Sequence, residues 1–400
     1  MTGVPGSTQA PLVWIAGTGW DGVAGTDRRL VEAVSQYRQV LWVDPPVAAS
    51  PAQIFDAARR TLTGAGNVAA TEWVTGSVLR LRVLAPPGVT RPGIRSITAV
   101  CLNRAVISAL ASVGWLPEAV VLAFPQARFP ARVPGRRIFY VTDDWLAGSG
   151  LMGLSRRAMK RAMAFNVERS HVVAAVSRSL VEHLQTMLPS RQPHQPVGTP
   201  EFVVLPNGCP QPAAGDPPVR DNVAGLVGQL NERLDLDVLE AVVAAGVQVR
   251  VIGPRTDRDP GFGRRLDAFL EMDSVEWQGP LDPKELPGQL ATLGAGLTPY
   301  TDSTFNRASF PLKTLEYLAA GLGVVATDSP AVRWLRTRHV TVGRSPQDFA
   351  QAVVEVLRNR TDGAGELDRR AFAANHTWDS RAREFLRLAT PSRATSQADA

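Results

Sequence analysis

Residues 306–328 read NRASFPLKTLEYLAAGLGVVATD, and this stretch decides how the rest of the chain is read. A strand-like run, Ala295 to Pro299, precedes it, and the run Val324 to Thr327 follows. Between them, Pro311 behind a Ser309 cap opens a helix and Gly321 closes it, as start and stop chemistry predicts. Lys313 and Glu316 are three residues apart, so both lie on one face near the helix N-terminus. That terminus offers unpaired N–H groups and the positive end of the helix dipole. A cation there clamps phosphate, and a carboxylate one turn on accepts hydrogen bonds from a ribose diol. The arrangement suits a nucleoside diphosphate.

The wider chain agrees with such a site. Its 400 residues exceed one comfortable core and fit two domains. With 44% apolar and 20% charged residues, the composition is that of an ordinary soluble protein. Cys101 and Cys209 form neither a disulfide framework nor a zinc pattern. Met1 to Gln9 has neither the basic region nor the apolar core of a signal peptide, and no apolar run is long enough to span a bilayer. A cytoplasmic protein is expected. Strand-like and helix-like runs alternate throughout, which predicts parallel sheets wrapped by helices. The segment Gly208 to Asp221, rich in proline, reads as a linker between two such series. Ser345–Asn359 and Arg369–Leu388 read as the last two helices.

The 306–328 stretch resembles the donor-site signature of retaining glycosyltransferases of the GT-B fold, family 4. PLKTLEYLAAG followed by VVATD is close to the teichuronic-acid-type subgroup acting on bacterial cell surfaces. The resemblance is strong over about twenty-five residues and weak over most of the chain. It implies an α/β fold of two doubly wound Rossmann-like domains facing a central cleft, with a C-terminal helix crossing back to the first domain. The expected division is a disordered 1–10, an acceptor-side domain at 11–207, the linker 208–221, a nucleotide-sugar domain at 222–372, the crossover helix 373–390 with Trp378 as its core anchor, and a disordered tail 391–400. It assigns the ribose to Glu316 and the diphosphate to the turn Ser309, Phe310, Pro311, Leu312, Lys313 and Thr314. Many relatives carry another Glu eight residues before Glu316; here that place is Ala308.

Further candidates carry a plainer reading beside the functional one. Gly17-Thr18-Gly19-Trp20-Asp21-Gly22 follows the first strand, and Gly17 and Gly19 allow close approach of a diphosphate or sugar, or simply make a tight turn. Asp44 ends the second strand at a spacing that weakly suggests a ribose partner. Arg233, in the loop VGQLNERLD, either neutralises the leaving diphosphate or pairs with Asp235 or Asp237 at the surface. Asp143 and Asp144 diverge in an extended segment, so one of them orients the acceptor hydroxyl while the other caps a turn. Relatives often carry a His in the first domain where this chain reads AFPQARFP, which leaves that role absent or with Gln126. Gly253 and Gly279 end strands and either wall the base or only turn the chain, and Tyr300 contacts the sugar or packs.

The net charge is +6, and the cations are nearly all arginine. Leu154 to Ser170, LSRRAMKRAMAFNVERS, concentrates four of them on one helix side, with Leu154, Ala158, Ala162 and Phe165 on another. This reads either as a solvated face or as peripheral contact with anionic lipid at the inner face of the plasma membrane. Without interleaved aromatics, nucleic acid is not the expected partner. The expected function is sugar transfer from a nucleotide diphosphate sugar to a glycan or polyprenyl-linked acceptor, retaining and metal-independent, with no cofactor. The alternatives are an inactive scaffold of the same fold and a non-transferring sugar-nucleotide epimerase.

Overall fold

The structure is a computed structural model describing residues 9–22, 24–50, 69–86, 92–149, 155–188, 198–216, 218–310 and 312–390. Pro311, Leu154, the tail 391–400 and all of 1–10 except its last two residues lie outside the described residues. The chain divides into two units, 1–206 with 381–400, and 207–380.

Unit 1 contains β1 (Leu12–Ile15), α1 (Thr26–Val34), β2 (Val40–Val43), β3 (Val47–Ala48), β4 (Ala69–Trp73), β5 (Val78–Ala85), α2 (Pro92–Ser112), β6 (Ala119–Leu122), β7 (Arg136–Val141), α3 (Arg156–Val167), β8 (Val172–Ala175), α4 (Arg178–Gln185) and β9 (Glu201–Val204). Its sheet runs β3-β5-β2-β1-β6-β7-β8-β9, with β4 added antiparallel to β5. β1 and β2, reading LVWI and VLWV, are buried at every position, as central parallel strands covered on both faces must be.

Unit 2 contains β10 (Val223–Val227), α5 (Leu236–Ala244), β11 (Gln248–Ile252), α6 (Pro260–Leu270), β12 (Val275–Trp277), α7 (Leu286–Thr292), β13 (Ala295–Thr298), α8 (Thr304–Ala308), α9 (Leu312–Ala319), β14 (Gly323–Thr327), α10 (Pro330–Leu335), β15 (Val340–Gly343), α11 (Pro346–Arg358) and α12 (Gly363–Ala374). The sheet is parallel in the order β12-β11-β10-β13-β14-β15, the doubly wound order of a Rossmann domain. Leu239, Val242, Leu266, Phe269, Phe349 and Val353 belong to its continuous core. Asp235, Asp259, Ser329, Ser345 and Asp362 each accept a first-turn N–H, which fixes where five helices begin.

The C-terminal helix differs from the single Arg369–Leu388 run expected. The chain breaks after α12 and resumes as α13 (Trp378–Ala389). Cys209 bridges the break, its N–H donating to His376 O at 2.9 Å and its O accepting from Trp378 N–H at 2.9 Å, while Thr377 Oγ1 caps the new helix by accepting from Ser380 N–H at 3.2 Å. Gly208 lets this happen, since a Cβ there would sit 2.7 Å from the Trp378 nitrogen. From Arg381 onward α13 belongs to unit 1, where Phe385 lies 5.2 Å from Trp14 and Arg383 Nε donates to Tyr37 Oη at 3.0 Å.

The segment 208–221 is held against unit 2 at both ends. Arg220, 1% exposed at its side chain, donates to Glu366 Oε2 at 2.8 Å and to Leu293 O and Ala320 O at 3.0 and 2.6 Å. Glu366 also takes Arg370 at 2.5 Å. Its stem lies so close to Gly321 (φ +83°) that a Cβ there would come within 2.5 Å of Glu366 Cγ. One carboxylate therefore neutralises two buried guanidiniums. Glu366→Ala is expected to cost about 3–5 kcal/mol in chemical denaturation, because both cations stay buried without it.

Candidate functional site

In doubly wound sheets, ligands bind beyond the carboxyl ends of the strands where the order reverses. In unit 2 that point lies between β10 and β13. The two strands pair only through Ala224–Ala295 and Gly225–Gly296, whereas β10 and β11 pair along all five residues. Beyond Gly225 the ladder opens, and the Tyr317 hydroxyl of α9 takes its place. It accepts from Val227 N–H at 2.8 Å and donates to Gly225 O at 3.2 Å. Gly296 makes room for the ring, since a Cβ there would lie 2.4 Å from Tyr317 Cγ. Burial keeps the Tyr317 phenol well above its ordinary pKa, so it stays a donor.

With α9 pinned, its first turn overhangs Gly228, the residue after β10. Lys313 Cε comes 4.0 Å from where a Gly228 Cβ would be. Lys313 Nζ donates to Glu316 Oε2 at 2.5 Å; their side chains are 23% and 5% exposed. Gly228 (φ +149°), Gly253 (φ +145°) and Gly279 (φ +70°) form a bare backbone row at the ends of β10, β11 and β12. Gly253 N–H donates to Gly279 O at 2.8 Å, and a Cβ on Gly253 would overlap Gly228 O.

Arg233 is clamped by Asn306 and two aromatic rings. Its Nε donates to Asn306 Oδ1 at 2.8 Å, and its guanidinium carbon lies 5.3 and 4.9 Å from the Tyr300 and Phe305 ring centres. Asn306 Nδ2 returns the bond to Arg233 O at 3.1 Å. The surface pairing with Asp235 or Asp237 does not form: Asp235 caps α5 and Asp237 pairs with Arg265. Tyr300 is held through Thr327 Oγ1, which accepts from its N–H at 3.0 Å and donates to its carbonyl at 2.8 Å. A cavity of about 650 Å³ opens beyond Tyr300, lined by Asp235, Arg307, Thr327, Arg333, Arg344 and Ser345 among others, and it reaches neither Lys313 nor Glu316.

Several residues of the motif are engaged within the fold, and Ser309 also lines a small cavity with Arg233, Tyr300 and Asn306. Ser309 does not cap α9; it closes α8, and its hydroxyl donates back to Phe305 O at 2.9 Å. Phe310 packs edge-on against Trp334 at 5.7 Å. Thr314 is fully buried, and Leu312 N–H is used by Phe310 O at 2.9 Å. Pro311 is not among the described residues. Ala308 is buried at the end of α8.

Gly17, Gly19 and Asp143 lie in unit 1. Gly17 N–H donates to Asp27 Oδ2 at 3.3 Å, while Gly19 carbonyl accepts from Gly22 N–H at 3.0 Å. Asp144 is the turn cap, its Oδ1 accepting from Leu146 and Ala147 N–H at 3.0 Å, and Asp143 accepts from Thr142 Oγ1 at 3.1 Å. Asp44 is not a ribose partner. Its oxygens are taken by Trp20 N–H, Trp42 Nε1 and Arg80 Nε at 2.9, 2.8 and 2.7 Å.

Two largely parallel, Rossmann-like sheets with a C-terminal helix shared between their units define the GT-B fold, and solved structures agree along nearly the whole chain. The apo structure of OtsA matches with a TM-score of 0.66 at 12% identity, over 96% of this chain and 100% of that one. The Anabaena HepE structure in complex with UDP and glucose matches with a TM-score of 0.63 at 12% identity, over 95% and 99%. Residues 221–359 match the family Glycosyl transferases group 1, so unit 2 carries a domain of that type. The putative teichuronic acid biosynthesis glycosyltransferase TuaH of Bacillus subtilis (strain 168) is 32% identical over 171 residues, 41% of this chain and 42% of that protein. The chain thus spans less than half the length of that curated relative.

Asn306, Tyr317 and Asp27 were not foreseen. Asn306 and Tyr317 stand in the quoted motif, but their partners lie 73 and 92 residues away at most, so no local pattern marks them. Tyr317→Phe is expected to cost about 1–3 kcal/mol in thermal unfolding, because Val227 N–H and Gly225 O lose their partner. Asp27 is a buried carboxylate raised above its ordinary pKa, first by burial and further by Asp143, against the Gly17 and Arg28 N–H bonds. The folded state therefore holds its proton more tightly than the unfolded chain. Its stabilising contribution is complete below the ordinary carboxylate pKa and is lost as pH rises through the raised one. Asp27→Asn should accordingly unfold at higher temperature than the parent at pH 7, with the gap closing at pH 3.5.

Proposed function

We propose that the protein is a retaining glycosyltransferase that moves a sugar from a nucleotide diphosphate sugar to a cell-surface glycan or lipid-linked acceptor. The observation that carries this is the Lys313–Glu316 pair on the first two turns of α9, with Lys313 beside the bare backbone at Gly228. Glu316 accepts the ribose hydroxyls. Lys313, Arg233 and the α9 N-terminus take the charge that grows on the departing diphosphate, without a metal. Gly253 and Gly279 leave the strand ends open to the base, and Tyr300 flanks the sugar. Unit 1 takes the acceptor, with Asp143 orienting the attacking hydroxyl and Gly17 and Gly19 allowing its approach. The similarity to TuaH, a putative teichuronic acid biosynthesis glycosyltransferase, and to HepE, solved with UDP and glucose, supports both the reaction and the cell-surface product.

Binding of UDP, GDP, ADP and dTDP, measured by thermal shift with EDTA or with Mg²⁺, tests the donor half. One nucleotide is expected to stabilise the protein equally in both conditions, by about 2.7 kcal/mol at a hundred times its dissociation constant. Lys313→Ala and Glu316→Ala should each weaken that nucleotide by about tenfold or more, the loss of a charge-assisted hydrogen bond. Unchanged affinity in either variant would remove the donor site from α9. Binding without turnover of the matching nucleotide sugar would instead leave an inactive scaffold, the reading that Ala308 in the place of a glutamate favours.

A further inference from the structure

α2 is apolar on two opposite sides. Leu102, Ala105, Val106, Ala109 and Leu110 are buried beneath it, while Ile97, Val100 and Ile107 point outward at 53%, 51% and 38% exposure. Helical spacing puts these three on one stripe, with exposed Arg104 among them. A helix normally turns polar residues outward, and a clustered apolar stripe marks a surface that something covers.

α3 supplies the complementary feature. Its buried side is Met159, Ala162, Met163, Asn166 and Val167; Ala158, expected on that side, is exposed. Arg156, Arg157, Lys160 and Arg161 are all exposed, and among the described residues none meets a carboxylate. Neither α2 nor α3 contains an acidic residue. Arg128 and Arg169 lie 4.6 and 3.6 Å from the centre of the Phe165 ring, Arg169 also meeting Glu168 at 3.6 Å.

Both helices look outward from the same face of the sheet. The connections β5-α2-β6 and β7-α3-β8 advance towards the same sheet edge, and right-handed crossovers therefore place both helices on one side. α1, whose connection runs the other way, lies on the opposite face.

We propose that this outer layer of unit 1 is a docking surface for an anionic lipid bilayer, with α3 held at the headgroups and the Ile97, Val100 and Ile107 stripe pressed into the acyl boundary. An apolar stripe alone would fit another protein, and a basic stripe alone any polyanion. The two together on one face fit a surface that is anionic outside and apolar within. Among the described residues no helix is long and apolar enough to cross the membrane, so the contact is with its surface. This inference uses unit 1 alone and stands apart from the nucleotide reading of unit 2.

Co-sedimentation of the full chain with vesicles of phosphatidylcholine, with and without about 30% phosphatidylglycerol, tests it. Binding is expected only with the anionic lipid, and it should fall steeply as NaCl rises from about 0.05 to 0.5 M. The quadruple variant R156A/R157A/K160A/R161A should lose about tenfold or more in vesicle affinity, and Ile97→Asp with Val100→Asp should lose similarly. Both variants should keep the parent's unfolding temperature and nucleotide response. Equal binding to neutral and anionic vesicles, or none to either, would overturn the proposal. So would a dimer in light scattering that Ile97→Asp dissociates, since a second copy would then cover the stripe.

Discussion

Unit 2 depends on a single phenol. Where β10 and β13 part, their backbone groups lose each other, and an unpaired buried N–H or carbonyl is costly. Tyr317 resolves this with one hydroxyl that accepts from Val227 and donates to Gly225. The same contact fixes the height and rotation of α9, and with it the places of Lys313, one turn before Tyr317, and Glu316, immediately before it. The opening that a ligand requires and the element that lines it are thus produced by one hydrogen-bonded side chain. Gly296 is part of the device, because any Cβ there would push the ring away.

The cations around this opening are held in different ways. Arg233 is ordered by two rings and by an amide that both accepts from its guanidinium and donates to its backbone carbonyl. Asn306 takes only Nε, and among the described residues no carboxylate pairs with the terminal nitrogens of the planar guanidinium. Arg220, by contrast, is spent entirely inside the fold, on Glu366 and a ring of carbonyls. Two arginines of the same unit therefore act oppositely: one closes the core and the other edges the site. Their sequence neighbourhoods do not separate them, because burial does.

That contrast marks how far the amino-acid order can be read. The strand–helix alternation, the parallel sheets and the position of α9 between β13 and β14 were legible, since they follow from local periodicity and from the stop at Gly321. The Lys313–Glu316 pairing was legible too, because three-residue spacing on a helix is a local fact. Much of what stayed hidden depends on distant partners. Asp44 reads as a strand-end acid until Arg80 and two tryptophans claim its oxygens. Ser309 reads as a cap for the helix ahead of it, but the short α8 behind it competes and wins its hydroxyl. The break between α12 and α13 is bridged by Cys209, 168 residues before Thr377, although Thr377 itself is a local cap for α13 that the longer helical reading passed over. Distant partners decided for Asp44, whereas at Ser309 one local rule displaced another, since Phe305 lies only four residues back.

The rarity of lysine in this chain sharpens the meaning of Lys313. Only Lys160, Lys284 and Lys313 interrupt an arginine-dominated set of cations, so a lysine at the motif helix is not compositional drift alone. A guanidinium at this position would meet the Glu316 carboxylate as a two-pronged fork and saturate it. An ammonium has three donors and needs one for Glu316 Oε2. The remaining two stay available towards Gly228, and the second carboxylate oxygen stays available to a hydroxyl. In the proposed role this is the difference between a closed ion pair and one that can be shared: the phosphate draws on the ammonium, the ribose draws on the carboxylate, and the pair that preorganises both need not break to bind either.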